Sequence, residues 1–200
     1  MCNKDIPRKI GLMNQLRLLW TQHVYWTRFF IISTAANLAD LEPVTNRLLR
    51  NPKDFARLLA PVYGEKTAER FQELFTQHLL IAADLVNAAK NGQTEKENAA
   101  REKWYQNAEE IAAFLSSINS CWSKMKWQNM LYSHLKMTEQ EATLRLQGNY
   151  EADIKVFEGI EREALQMADY MWEGITGKAF RRCRQKKERG SDPCPVCFML

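Results

Sequence analysis

Six prolines and eight glycines are few chain-breaking residues for a sequence of 200. Half of them sit where segments end: Pro43, Pro52, Pro61, Gly64, Gly92, Gly148 and Gly177. Between these points the apolar residues recur at the helical period, and no segment shows the two-residue alternation of a strand. Long apolar runs are also missing. Runs such as Phe29-Phe30-Ile31-Ile32 fall far short of the roughly 20 residues that span a bilayer. Lys4, Arg8 and Lys9 precede no apolar block with a cleavage-like site, so no signal peptide is read and a cytoplasmic location is expected. Five cysteines, an odd number with Cys2 and Cys121 isolated, do not make a secreted disulfide framework.

A charge excess is likewise absent from most of the chain. The formal net charge is +4, but residues 178–200 hold seven Lys/Arg against Glu188 and Asp192. The preceding 177 residues carry 21 basic and 22 acidic groups. No nucleic-acid partner is therefore expected for the body of the protein. Hydrophobic residues at 46% and charged residues at 26% match an ordinary globular protein, and the length is enough to bury a real core.

The periodicity predicts an all-α protein. One helical face carries Leu12, Leu16, Leu19, Trp20, His23, Trp26, Thr27 and Phe30. A second, over 65–91, carries Phe71, Leu74, Phe75, His78, Ile81, Ala82 and Leu85, and stops at Asn91-Gly92. Trp104, Ala108, Ile111 and Leu115 mark a helix over 95–118, and Asp153, Phe157, Ile160, Ala164, Met167 and Met171 one over 150–176. Residues 51–62 align without a gap to 107–118, pairing Asn51 with Asn107. The same offset sets Phe71 on Trp127 and His78 on His134. The unit is a helical hairpin, duplicated, with Asn149 to Ile154 as a degraded third copy. A compact up-and-down bundle of the four-helix type fits this better than an α-solenoid. The expected organisation is an N-terminal extension over 1–9 and a bundle over 10–177. Its repeat units are 10–64, 65–120 and 121–177, and a basic, cysteine-containing flexible tail follows over 178–200.

Histidine is the scarcest residue of functional interest. There are three, His23, His78 and His134, each in a similar local sequence, separated by 55 and 56 residues. Each lies on the apolar face of its helix, so all three are expected to point inward. Imidazole is the commonest metal ligand, and two or three of them completed by a carboxylate suit Zn, Fe, Mn or Ni. Asp153 is the first candidate for that carboxylate, because it shares an apolar face. Glu141, seven residues after His134, is the second, while Asp169 and Asp84 lie off the main stripe. The alternative is that the histidines only pack. Thr138-Glu139-Gln140-Glu141 also reads as a capping box at a fresh helix start, which gives Glu141 a structural role. The Glu-x-x-His pairs of di-iron bundles and the His-Glu-x-x-His motif are both missing. Arg28, set in apolar sequence, needs a carboxylate partner, and Asp84 is the expected one; binding of an anion is the alternative. No nucleophile constellation emerges around Cys2 or Cys121. In the tail Cys194 and Cys197 form half a zinc knuckle, and Cys197 to Leu200 has the form of a prenylation box.

The runs Trp20 to Arg28, Asn46 to Phe55, His78 to Asp84, His134 to Thr138 and Ala164 to Met171 resemble a poorly characterised group of small bacterial all-helical proteins. More distantly the chain is similar to ferritin-like bacterial metalloproteins built as up-and-down four-helix bundles. The resemblance implies a helical bundle with a metal in its interior. Some relatives carry an acetylglutamate kinase label. This sequence has no Gly-rich phosphate loop after a strand and no βαβ pattern to hold one, so kinase activity and a nucleotide cofactor are not expected. The functional expectation is a helical bundle that binds a transition metal through inward histidines, with a metal-dependent activity left open. The rival is a structural or interaction bundle. Association with further copies of the chain is left open.

Overall fold

The computed structural model describes the backbone of residues 5–188 and the side chains of residues 6–177. The tail cysteines Cys183, Cys194 and Cys197, the basic run and the prenylation-like box lie outside the described side chains. Seven helices make up the described residues: α1 (Asp5–Ala36), α2 (Leu41–Leu49), α3 (Asn51–Tyr63), α4 (Glu65–Lys90), α5 (Thr94–Ile118), α6 (Lys124–Leu146) and α7 (Tyr150–Glu188). No strand occurs among them. None of these helices is long and apolar enough to cross a membrane.

Short connections make neighbours in sequence neighbours in space. The chain packs α3 on α4, α4 on α5, α5 on α6 and α6 on α7, and α7 returns onto α1 to close the bundle. The helices α1, α4 and α6 also touch one another pairwise, which places them innermost. Three of the connections are the same turn. Asn37, Gly92 and Gly148 adopt positive φ of 53°, 65° and 75°, the left-handed conformation open to glycine and tolerated by asparagine. In each the N–H of the next residue reaches back five residues to a helix carbonyl: Leu38 to Ser33, Gln93 to Ala88 and Asn149 to Leu144. That pair of features is a Schellman stop, which satisfies carbonyls the helix end leaves free.

Most of the core is one continuous cluster. Trp20, Phe55, Phe71, Phe75, Trp104 and Trp127 are its largest fully buried side chains. Fully burying such groups contributes about 1.5–3 kcal/mol each. A smaller cluster of Phe30, Ile31, Val44, Leu48, Leu79, Val86 and Ala142 caps the end where α2 lies.

Two expectations change. The helix α6 runs unbroken through Thr138, so no capping box forms there; the Thr138 hydroxyl donates instead to the His134 carbonyl one turn back. The last helix does not stop near 177 but continues to Glu188.

Candidate metal centre

Each histidine is carried by one of the three inner helices: His23 on α1, His78 on α4 and His134 on α6. All three are buried, at 1%, 1% and 2% exposure. Their ring centroids stand 6.2 Å (His23–His78), 5.4 Å (His23–His134) and 6.4 Å (His78–His134) apart. One nitrogen from each ring lies within 4.8 Å of the others. A tetrahedral ion with imidazole ligands at about 2.0–2.1 Å sets neighbouring nitrogens about 3.3–3.4 Å apart.

The surroundings are aromatic. Phe75 stacks on His23 at 4.8 Å and on His78 at 5.9 Å, Trp104 lies 5.3 Å from His78, and Trp20 meets His23 edge-on at 5.8 Å. Burial in this shell holds every imidazole neutral. Desolvation, then the neighbouring His134 and His78, lowers His23 well below its ordinary value; desolvation lowers His78 to about 4 and His134 to about 3. Neutral imidazole is the form that ligates a metal.

Hydrogen bonding fixes one ring. Asn107 on α5 donates its Nδ2–H to the Leu74 carbonyl at 3.0 Å, which leaves its Oδ1 to accept. That oxygen lies 3.0 Å from His78 Nδ1. His78 therefore carries its proton on Nδ1 and its lone pair on Nε2. Nδ1 of His23 and Nδ1 of His134 are buried without a partner.

One helical turn beyond the histidines, Thr27, Ala82 and Thr138 line a cavity of about 30 Å³, room for one or two waters. Both threonine hydroxyls donate to carbonyls of their own helix, His23 and His134 respectively, so their lone pairs stay available. Ile31, Val86 and Ala142 form the next layer of the lining, and Glu97, Arg101 and Glu139 line it as well.

The two carboxylates expected beside the histidines are engaged elsewhere. Neither Asp153 nor Glu141 belongs to the cluster of ligand atoms, which consists of the three imidazoles. Arg28 Nη1 donates to Glu141 Oε1 at 2.6 Å and to Asp153 Oδ1 at 2.7 Å, and Arg145 Nη2 lies 2.5 Å from Asp153 Oδ2. The Arg28 guanidinium also sits over the Phe157 ring, 4.6 Å from its centroid. Two cations thus face two anions in the interior, and the balance leaves no lone charge. Burial pushes the Glu141 carboxyl up to about 7 against the pull of Arg28. Asp84, expected to pair with Arg28, is exposed. Asp169 pairs with Arg17 through two bonds of 2.7 and 2.8 Å.

No family model, curated protein or solved structure matches the chain.

The residues missed by the sequence reading surround the histidines. Asn107 was visible as the partner of Asn51 in the internal alignment, but nothing in a single sequence tied it to a ring on another helix. Glu163 on α7 was not singled out. It is 7% exposed, its Oε2 has no partner, and burial raises its carboxyl to about 7 against a hydrogen bond with Ser133.

Proposed function

We propose that this protein binds one transition-metal ion between His23, His78 and His134. The observation that carries the reading is the convergence of the only three histidines, from three different helices, into one buried group of neutral rings. Packing alone gives no reason to gather the three imidazoles of the chain into one buried group, since each ring gives up its contact with water there.

With Asp153 and Glu141 held by arginine, the donor set is three nitrogens. Imidazole donors suit Zn, Fe and Ni, whereas Mn prefers carboxylate and water. Three protein ligands leave at least one coordination position open, as in catalytic zinc sites. The small cavity lined by Thr27 and Thr138, one helical turn from the histidines, has room for water but is not itself lined by the rings. The chemistry such an ion supplies is Lewis-acid polarisation or activation of bound water. The resemblance to ferritin-like metalloproteins agrees with an interior metal, although the donor set here lacks the bridging carboxylates of that class. The internal repeat supports the same reading: His23, His78 and His134 each precede a left-handed turn residue by fourteen positions, so one hairpin repeated three times brings equivalent residues to one axis.

The rival reading is a structural bundle, favoured by the satisfied His78–Asn107 pair and the stacking of Phe75 on two of the rings. Elemental mass spectrometry separates the two. Full-length protein with its cysteines changed to serine, purified without added metal or a histidine tag, is expected to carry or take up one equivalent of Zn, Fe or Ni. His78→Gln and His134→Gln variants that remain helical are expected to lose it. Failure of the parent to retain any of these ions after titration leaves the packing role.

A further inference from the structure

The asparagine that orients His78 has counterparts at a fixed offset. Asn51, Asn107 and position 163, a glutamate, are separated by 56 residues each. They lie on α3, α5 and α7, the second helices of the three hairpins, while the histidines lie on α1, α4 and α6. The residues that follow keep the same burial. Phe55, Ile111 and Met167 are at 0%, 2% and 0% exposure, and Leu59, Leu115 and Met171 at 1%, 1% and 0%. The register thus holds for three turns of helix in all three hairpins.

The hydrogen bonds repeat as well. Asn51 donates to the Leu19 carbonyl at 3.0 Å, four residues before His23. Asn107 donates to the Leu74 carbonyl at 3.0 Å, four residues before His78. Glutamate at 163 has no amide to offer the third carbonyl. Its carboxylate is hydrogen-bonded with Ser133, the residue immediately before His134, which places it against the same turn of α6.

Only the middle pair is closed in the structure, between His78 Nδ1 and Asn107 Oδ1. In the other two hairpins the equivalent atoms are orphans: His23 Nδ1 with Asn51 Oδ1, and His134 Nδ1 with Glu163 Oε2. Four buried atoms without partners, two ring nitrogens and two side-chain oxygens, therefore occupy the positions that are bonded to each other in the middle hairpin. A bond between a buried donor and a buried acceptor removes the desolvation penalty that each carries alone.

We propose that Asn51, Asn107 and Glu163 are a matched set of positioning residues, each accepting the Nδ1–H of one histidine so that the three Nε2 lone pairs converge. The register assigns residues 163–174, rather than Asn149 to Ile154, as the third copy of 51–62. The set is not symmetric: two neutral amides and one carboxylate stand behind three neutral rings. A carboxylate hydrogen-bonded to a ligating histidine raises its basicity and favours a divalent cation, and removal of such a partner weakens metal binding by about 10–100-fold. Glu163 is thus the one acidic group placed behind the donor set, where no carboxylate ligates directly. The metal part of this inference rests on the proposed function; the orientation of the rings does not.

Nitrogen-15 NMR of the imidazoles in metal-free protein at pH 8 tests the orientation directly, because protonated and lone-pair nitrogens resonate far apart. The expected parent spectrum has all three histidines as the Nδ1–H tautomer. Asn51→Leu, Asn107→Leu and Glu163→Leu should each disturb only His23, His78 and His134 respectively. A parent in which His23 or His134 carries its proton on Nε2 overturns the proposal, as does a Glu163→Leu variant with an unchanged His134. Glu163→Gln keeps an acceptor oxygen and close to the same shape, so it guards against loss of folding. It should preserve the His134 tautomer while weakening Zn(II) binding about 10-fold, read by competition with a chelator. Equal Zn(II) affinity in parent and Glu163→Gln contradicts the assigned role of the charge. Absence of Zn(II) binding in the parent with the expected tautomers removes the metal reading and leaves the positioning set intact.

Discussion

Arg28 and the three histidines show how single side chains are held in this interior. Arg28 is 9% exposed and supports two carboxylates, Glu141 at 1% and Asp153 at 0%. Removing one partner of such a group leaves an uncompensated buried charge, which costs about 3–5 kcal/mol. Arg28→Ala is expected to lower the unfolding free energy by about that amount in urea titrations. Arg28→Lys should recover little, because one ammonium cannot serve two carboxylates with the reach and planarity of a guanidinium. The histidines give a pH signature. In the unfolded chain all three protonate near 6.5, whereas folded His78 and His134 lie at about 4 and about 3 and His23 well below 6.5. The unfolded state therefore binds more protons below pH 6.5, and this contribution to stability is present above that value and lost as pH falls. Each ring contributes a slope of about 1.4 kcal/mol per pH unit. Glu141 and Glu163, raised from 4.5 to about 7, act in the opposite sense between those values, because the folded state there holds the extra protons. Three protons against two predict a shallow loss from pH 6.5 to 4.5 and a steeper one below 4.5, measurable as urea midpoints of metal-free protein across that range.

At the scale of the helix, two glycines in the same backbone state should respond with opposite sign. Gly11 lies in α1 with nothing within 4 Å of the position a Cβ would take. Gly11→Ala is expected to raise stability by about 0.5–1 kcal/mol, the usual gain for relieving a helix of a glycine. Gly174 lies in α7 against the Trp122 indole, whose Nε1 would stand 1.8 Å from a Cβ. That indole is buried and donates to the Tyr170 carbonyl at 3.2 Å, so it cannot swing aside without losing a bond. Gly174→Ala should cost about 1–3 kcal/mol through overpacking, and thermal melts of the two variants test both signs at once. The elements themselves were legible in the sequence because helical period, few breakers and the Asn91-Gly92 stop all agree. The break expected at Thr138 was not real. A capping box is a local pattern, and here the face carrying Leu131, Leu135, Thr138 and Ala142 runs on into the core and keeps the helix continuous. Partners across helices were the least legible. Asp84 lay at a plausible offset from Arg28, but which carboxylate meets an arginine depends on how α1, α6 and α7 face one another, and that is set by tertiary packing.

For the whole molecule, the organising feature is the position of α1, α4 and α6 at the centre, with α3, α5 and α7 linking them around the bundle. Equivalent faces of the inner helices supply a histidine, then the cavity layer of Thr27, Ala82 and Thr138, then Ile31, Val86 and Ala142. The recurrence of the histidines at 55 and 56 residues was visible in the sequence and correctly suggested that they converge. The carboxylates did not follow, because sharing an apolar face places a residue inside without fixing its depth along the axis or its partner. The central claim is that these three rings ligate one ion, and X-ray absorption of protein loaded with one equivalent of Zn(II) tests it most directly. The 200-residue chain with its cysteines changed to serine is the sample, since Cys183, Cys194 and Cys197 are competing ligands. Three imidazole nitrogens at about 2.0–2.1 Å are expected, with the remaining position taken by oxygen. A shell of oxygen without imidazole nitrogen, or an ion washed out without a defined shell, contradicts ligation by the three rings.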